Sequence, residues 1–201
     1  MAINVARCQG CQRCAVACKM NNNLPKDHWR NRIDTDGGEY QDTARGEYPA
    51  NLHKMWFAVT CQHCTMAPCV AACPTGAASI REDGIVVIDH EECIGCSTCV
   101  PACPYGVRTL NSSELEYYTG HALGDFDAPI HVNNTMDKCD FCLHRLARGE
   151  EPACMEFCPG DARHWGDMDD PDSDVSKYIA GKTTSFLLEE KGSGPNCYYI
   201  L

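Results

Sequence analysis

Thiolate is a soft metal ligand, and this sequence gathers sixteen of its seventeen cysteines into four tight quartets. The first is Cys8, Cys11, Cys14 and Cys18, and the second is Cys61, Cys64, Cys69 and Cys73. The third is Cys93, Cys96, Cys99 and Cys103, and the fourth is Cys139, Cys142, Cys154 and Cys158. In three of them proline follows the last cysteine (Pro74, Pro104, Pro159). A C-x2-C-x2-C-x3-C-P run is a ligand set for a cubane [4Fe-4S] cluster, in which three thiolates cover three irons and the fourth points to a neighbouring cluster. The chemistry expected of such a chain is one-electron transfer along a row of redox centres.

Two other uses of cysteine compete. A disulfide framework suits short, cysteine-rich secreted chains. The odd cysteine count and the three-residue spacing argue against it, as does the absence of a secretory signal in Met1-Ala2-Ile3-Asn4-Val5, which leads straight into the first quartet. Structural zinc favours two C-x2-C pairs set further apart, and it explains neither the three-plus-one grouping nor the Cys-Pro endings.

Elements must position these thiols within 201 residues, which is one domain or two small ones. Four clusters leave roughly 50 residues for each, so the clusters replace much of an ordinary core and the apo chain is expected to fold poorly. Only 44% of residues are hydrophobic, and no apolar run approaches the ~20 residues a membrane helix needs. Membrane contact is therefore expected only through a partner. Between the second and third quartets, Ala78–Arg81 and Ile85–Asp89 read as a β-hairpin turning at Asp83-Gly84. The fourth quartet carries an insertion, Leu143 to Ala153, read as a short helix ended by Gly149 and lying over a cluster. Lys54–Thr60 reads as a strand entering the second quartet, and Leu110 to Met136 as a long surface loop. Thr184–Leu188 and Cys197–Leu201 read as strands joined by a Gly192-Ser193-Gly194-Pro195 turn, able to pair with a strand at Ile3–Ala6.

Charge is uneven. Residues 1–60 carry eight Lys/Arg against six Asp/Glu, residues 61–138 three against ten, and residues 139–201 six against twelve. No basic stripe exists to neutralise phosphates, so nucleic acid is not an expected partner. The acidic tract Asp167–Asp174 reads as a solvated turn and helix start capped by Ser173 or Asp172 rather than a metal loop. The eight histidines show no metal-binding spacing; His63, inside the second quartet, is read either as a donor near a cluster or as solvent-facing. No P-loop, nucleophile elbow or dinucleotide fingerprint is present, so no catalytic residues are assigned. Gly10 and Gly95, each directly before a ligand cysteine, fit a close backbone approach to sulfide. Cys197 lies outside every quartet and reads as a small buried hydrophobe.

The arrangement resembles the electron-transfer (beta) iron–sulfur subunits of molybdopterin oxidoreductases, the family of dimethyl sulfoxide, polysulfide, arsenate and nitrate reductases. The resemblance rests on Cys61-Gln62-His63-Cys64 with Ala67-Pro68-Cys69 and Cys73-Pro74-Thr75-Gly76-Ala77, and on Cys103-Pro104-Tyr105-Gly106. Further matches are Lys138-Cys139, Cys142-Leu143-His144-Arg145-Leu146, Pro152-Ala153-Cys154, Gly166-Asp167, Asp169-Asp170-Pro171 and Gly192-Ser193-Gly194-Pro195. Arg45-Gly46-Glu47-Tyr48-Pro49 and Ala6-Arg7-Cys8-Gln9 also look like the small subunits of pyrogallol–phloroglucinol transhydroxylase and catechol dehydroxylases.

The resemblance implies four [4Fe-4S] clusters with crossed ligation. Cys8, Cys11 and Cys14 take Cys158 (cluster 1); Cys139, Cys142 and Cys154 take Cys18 (cluster 2). Cys61, Cys64 and Cys69 take Cys103 (cluster 3); Cys93, Cys96 and Cys99 take Cys73 (cluster 4). Some relatives lack the second cysteine of the third quartet and carry a [3Fe-4S] cluster there, whereas Cys96 is present here. The implied fold is α+β, two interleaved bacterial-type 2[4Fe-4S] ferredoxin units with short helices, β-hairpins and long loops. The first unit is split, 1–20 plus 137–166, and the second, 54–110, is inserted; 21–53 and 111–136 connect them, and 167–201 adds a helix and a β-hairpin. The implied role is a non-catalytic subunit relaying electrons between a quinol or other donor and a large molybdopterin (Mo or W) subunit of an anaerobic reductase, with a separate membrane anchor as a further partner. Alternatives are a free-standing polyferredoxin and the redox subunit of a formate dehydrogenase or hydrogenase. Without a signal or membrane helix of its own, the chain is expected in a membrane-associated complex, exported with a signal-bearing partner, or else in the cytoplasm.

Overall fold

Short elements follow directly from the cysteine spacing. The computed structural model describes residues 1–37, 44–121 and 123–201; residues 38–43 and 122, within the expected connecting loops, lie outside the described residues. In chain order the elements are β1 (Ala2–Asn4), α1 (Arg13–Asn21), β2 (Arg32–Thr35), β3 (Trp56–Val59), α2 (Pro68–Ala71), β4 (Ala78–Ile80), β5 (Val86–Ile88) and α3 (Cys99–Ala102). They continue with β6 (Thr109–Leu110), β7 (Met136–Asp137), α4 (Leu143–Leu146), α5 (Ala153–Glu156), β8 (Arg163–His164), α6 (Asp174–Ile179), β9 (Thr184–Ser185) and β10 (Tyr198–Ile200). The fold is mixed α and β, with small sheets around cysteine-bearing turns.

The third cysteine of every quartet sits in a helix: Cys14 in α1, Cys69 in α2, Cys99 in α3 and Cys154 in α5. An x3 gap puts the third and fourth cysteines four apart, which is one face of one turn. Pro74, Pro104 and Pro159 then stop the helix, because proline disfavours helical backbone at the residue before it. Accordingly α2, α3 and α5 are four residues long, whereas α1, in which Lys19 rather than proline follows the fourth cysteine, runs for nine. From the last turn of α1, Lys19 holds the segment that follows, its ammonium donating to the carbonyls of Pro25 (2.6 Å), Lys26 (2.8 Å) and His28 (3.0 Å).

Strands β4 and β5 form the expected antiparallel hairpin, with Gly84 at φ 77° and the Asp83 carboxylate accepting from Ile85 N–H at 3.1 Å. Strands β2 and β3 pair antiparallel from Arg32↔Val59 to Thr35↔Trp56. The largest sheet has the order β8-β1-β10-β9, with β1 and β10 parallel and the outer pairs antiparallel. The chain ends therefore meet, through Ala2–Asn4 rather than Ile3–Ala6. The expected strand Thr184–Leu188 is only two residues long, and the half-buried Leu187 just beyond it packs against both core clusters. Ile3, Cys197 and Tyr199 are fully buried under this sheet, and the Tyr199 hydroxyl donates to Ala58 O at 2.9 Å.

The segment 111–136 departs from a simple surface loop. Its ends are tied by β6–β7 pairing, and Asn111, His131 and Thr135 are buried. A buried backbone group must be satisfied; Asn111 Nδ2 donates to Val132 O at 2.9 Å, and the His131 ring Nε2 pairs with Asn22 O at 2.7 Å. Gly192–Pro195 is likewise no free hairpin turn, since Thr65 and Met66 N–H donate to Gly194 O (2.7 Å) and Ser193 O (3.1 Å), docking it on the second quartet. The acidic tract behaves as expected, with the Ser173 side chain accepting from Ser176 N–H to start α6.

Candidate iron–sulfur sites

One backbone feature recurs in all four quartets. The residue before the second cysteine has positive φ: Gly10 (65°), His63 (45°), Gly95 (63°) and Phe141 (62°). Left-handed backbone costs a non-glycine residue about 1–2 kcal/mol and folds successive N–H groups inward into an anion-binding concavity. Glycine is required at two positions for a second reason: a Cβ on Gly10 would lie 2.4 Å from the Trp56 ring, and one on Gly95 2.1 Å from Asn134 O. These close approaches are to protein atoms, which is a more specific cause than nearness to sulfide. His63 and Phe141 instead use their bulk, meeting edge to face with centroids 5.4 Å apart.

The quartets do not stay separate. One cavity is lined by Cys8, Cys11, Cys14 and Cys158, a second by Cys61, Cys64, Cys69 and Cys103, and a third by Cys73, Cys93, Cys96 and Cys99. Cys18, Cys139, Cys142 and Cys154 form a buried fourth group; Asn22 Nδ2 reaches both Cys18 Sγ (3.6 Å) and Cys142 Sγ (3.7 Å). Each group thus takes three cysteines from one quartet and one from another. The thiols differ by depth. Burial pushes Cys18 well above its ordinary pKa, Cys142 to about 12 and Cys154 to about 11. Burial would also raise Cys73, but N–H bonds from Ala78 and a bond with Thr75 outweigh it and bring the thiol to about 7. Cys11 and Cys96 are exposed, whereas all four cysteines of the deep group are buried.

Donors surround the sulfurs. Met136 N–H points to Cys93 Sγ, Phe141 N–H to Cys139 Sγ and Ala162 N–H to Cys158 Sγ, each at 3.4 Å. Arg108 Nη2 donates to Cys69 Sγ at 3.0 Å, and Cys96 Sγ lies 2.9 Å from Thr98 Oγ1. Four convergent free thiols ringed by N–H donors fit an iron–sulfur cluster, whose sulfurs accept such bonds. His63 is buried rather than solvent-facing. Its Nδ1 accepts from Val86 N–H at 3.0 Å, so Nε2 carries the proton and faces Cys139, outside strict hydrogen-bond geometry. Burial alone would raise the Cys139 thiol, but His63 brings it below its ordinary value.

Comparison with known proteins agrees with this chemistry. Residues 52–118 and 127–168 match the 4Fe-4S dicluster domain family, and residues 6–21 a 4Fe-4S binding domain. The chain is 45% identical, over its whole length and 78% of the relative, to a putative dimethyl sulfoxide reductase iron–sulfur subunit of Halobacterium salinarum. It is 36% identical to the arsenate respiratory reductase iron–sulfur subunit of a Shewanella species, covering all of this chain and 94% of that one. A polysulfide reductase chain of Wolinella succinogenes is 36% identical over 96% of this chain and 88% of its own length. The chain belongs to the family of reductase iron–sulfur subunits. As such a subunit it is an iron–sulfur electron-transfer protein with ferredoxin-like 4Fe-4S domains. Among the described residues no helix is long and apolar enough to cross a membrane.

Several residues of this protein escape a reading of spacing alone. Arg30, 6% exposed, donates to both carboxylate oxygens of Asp137 (2.7 and 3.0 Å) and to Asp140 (3.2 Å), tying the segment after α1 to the start of the fourth quartet. Ser193 shares a 2.9 Å hydrogen bond with the Tyr105 hydroxyl beside Cys64. Arg108 and Arg163 did leave a signal, each standing five residues after the last cysteine of its quartet. Cys197 lines none of the three cavities and is buried beside Tyr199. Asp125, Asp127 and His144 converge within 4.8 Å, but Arg148 already pairs with both carboxylates.

Proposed function

We propose that this subunit holds four [4Fe-4S] clusters in the sixteen quartet cysteines, crossed as Cys8/Cys11/Cys14/Cys158, Cys139/Cys142/Cys154/Cys18, Cys61/Cys64/Cys69/Cys103 and Cys93/Cys96/Cys99/Cys73. Bound clusters supply one-electron carriers of tunable potential. The residues of the chain order them. Arg163 lines the first cavity from a strand packed on α5, His63 of the second quartet meets Phe141 of the fourth, and Arg108 lines the cavities of both the third and fourth sets, which supports the order 1–2–3–4.

The observation that carries the reading is exposure. Only the outer two sets present an exposed cysteine, Cys11 in the first and Cys96 in the fourth, while the inner sets are shielded. A relay needs two accessible ends and an insulated middle. The non-catalytic role fits the absence of an acid–base or nucleophile set in the sequence. The curated relatives are subunits of dimethyl sulfoxide, arsenate and polysulfide reductases. The matching reading here is a large molybdopterin partner at the first cluster and a quinol-side donor, through a separate anchor subunit, at the fourth. The split unit (1–20 plus 137–166) and the inserted unit (54–110) each hold two clusters.

Paired variants test it. Cys96→Ser should slow electron entry from quinol while turnover with a small artificial donor that reduces the catalytic partner survives. Cys11→Ser should disturb the catalytic junction instead. The opposite pattern would reverse the order, and no effect of either variant on any partner would favour a free polyferredoxin.

A further inference from the structure

Arg108 and Arg163 occupy equivalent places in the internal repeat. Arg108 follows Cys103 by five residues and Arg163 follows Cys158 by five; the same position after Cys73 is Ala78, and after Cys18 it is Asn23. Both arginines are buried, 6% and 5% exposed. Arg108 lines the cavity of Cys61, Cys64, Cys69 and Cys103 and also that of Cys73, Cys93, Cys96 and Cys99. Arg163, in β8, lines the cavity of Cys8, Cys11, Cys14 and Cys158 and packs on α5, which carries Cys154 of the deep group.

Neither guanidinium is satisfied by protein. Arg108 donates through Nη2 to Cys69 Sγ at 3.0 Å, and its buried Nε has no partner. Arg163 donates through Nη2 to Asn31 Oδ1 at 3.0 Å, and its buried Nη1 has no partner. A buried, incompletely paired cation is strongly unfavourable unless negative charge faces it. Neither arginine has a carboxylate partner among the described residues; cysteine sulfurs line the cavities beside both instead.

We propose that Arg108 and Arg163 are redox-positioning residues, each a fixed positive charge shared by two adjacent clusters: Arg108 by clusters 3 and 4, and Arg163 by clusters 1 and 2. The inference rests on the cluster assignment given above. Reduction adds one electron to a cluster and breaks no bond, and the guanidinium stays protonated throughout. A fixed cation stabilises the reduced form of whatever it faces, so one shared by two clusters raises both potentials together and leaves the difference between them little changed. The junction between clusters 2 and 3 has a different device, the His63–Phe141 contact beside Cys139.

The test is potentiometric titration followed by EPR, on the complex purified anaerobically with its clusters. Arg108→Gln should lower the potentials of clusters 3 and 4 together, cutting the reduced-to-oxidised ratio of each about tenfold at a fixed ambient potential (~59 mV for one electron), and leave clusters 1 and 2 in place. Arg163→Gln should do the converse. Arg108→Lys, which keeps the charge and loses the fork, should move the same two clusters by less; it carries the test if Arg108→Gln loses iron. A shift confined to cluster 3 would make Arg108 a partner of Cys69 alone and overturn the bridging role, as would equal shifts in all four clusters or none. Failure of the underlying assignment reads differently, as missing cluster signals in the unsubstituted protein.

Discussion

The second and third quartets and the first and fourth reach the same sulfur geometry by opposite routes. The inner two are contiguous, 61–103, and a hairpin of two three-residue strands, β4–β5, closes the chain between them. The outer two lie more than a hundred residues apart and meet through long-range contacts, α1 packing on α5 and β1, β8 and β10 joining in one sheet. Local closure is inexpensive in chain entropy, and closure between chain ends is not. The split pair therefore depends on a core built from both chain ends (Ile3, Cys197, Tyr199), whereas the contiguous pair packs on its own cluster of Val59, Val86, Tyr105, Val107 and Met136.

The largest effect should come from the seam between the two pairs. Asp137, with its carboxylate on Arg30, lies in β7, two residues before the fourth quartet. Removing one partner of a buried ion pair costs about 3–5 kcal/mol, so Asp137→Asn should lower the anaerobic urea midpoint sharply. Burial alone would raise the Asp137 pKa, but Arg30 and His131 hold it well below the usual carboxylate range. The folded-state pKa is thus below the unfolded one of about 3.9, and the stabilisation is complete above that value and lost as pH falls. The difference between wild type and variant should stay level from about pH 8 to pH 5, as unfolding curves across that range can check; a decline within it would move the effect to a neighbouring histidine.

Ile3→Ala separates the pairs directly. Its fully buried side chain should cost about 3 kcal/mol on truncation, and iron held by the first and fourth quartets should be lost before that of the contiguous pair. EPR during thermal unfolding would show the order, and simultaneous loss of all signals would make the two pairs one cooperative body. Cys197→Ser should cost about 1–2 kcal/mol through a buried hydroxyl and leave the iron content unchanged; loss of a cluster would make Cys197 a ligand. Gly84→Ala should be mildest. Its φ of 77° with open space around it leaves only the backbone penalty of about 1 kcal/mol, confined to the contiguous pair and readable as a small shift in its EPR-monitored melting.

The contrast also governs what could be read from the sequence. The β4–β5 hairpin was legible because Asp83-Gly84 and Val86–Ile88 carry their own turn and strand preferences. The Ser173 cap and the grouping of each quartet were legible just as locally. Parallel pairing of β1 with β10, the entry of β8 and the shortness of β9 depend on which distant faces bury Ile3 and Leu187, and no local preference encodes that. Segment 111–136 looked like surface because it is polar, yet Asn111 and His131 are buried as hydrogen-bond partners of the backbone. Arg108 and Arg163 stood at a fixed offset in the repeat, but an isolated arginine reads as surface charge until the cavities beside it are seen.

The most direct measurement is anaerobic iron and acid-labile sulfide analysis of the purified protein, with EPR of the fully reduced state. Four cubanes require about sixteen iron and sixteen sulfide per chain, and Cys96→Ser should disturb one cluster without touching the other three. About four or eight iron per chain, or stoichiometric zinc in its place, would contradict the account.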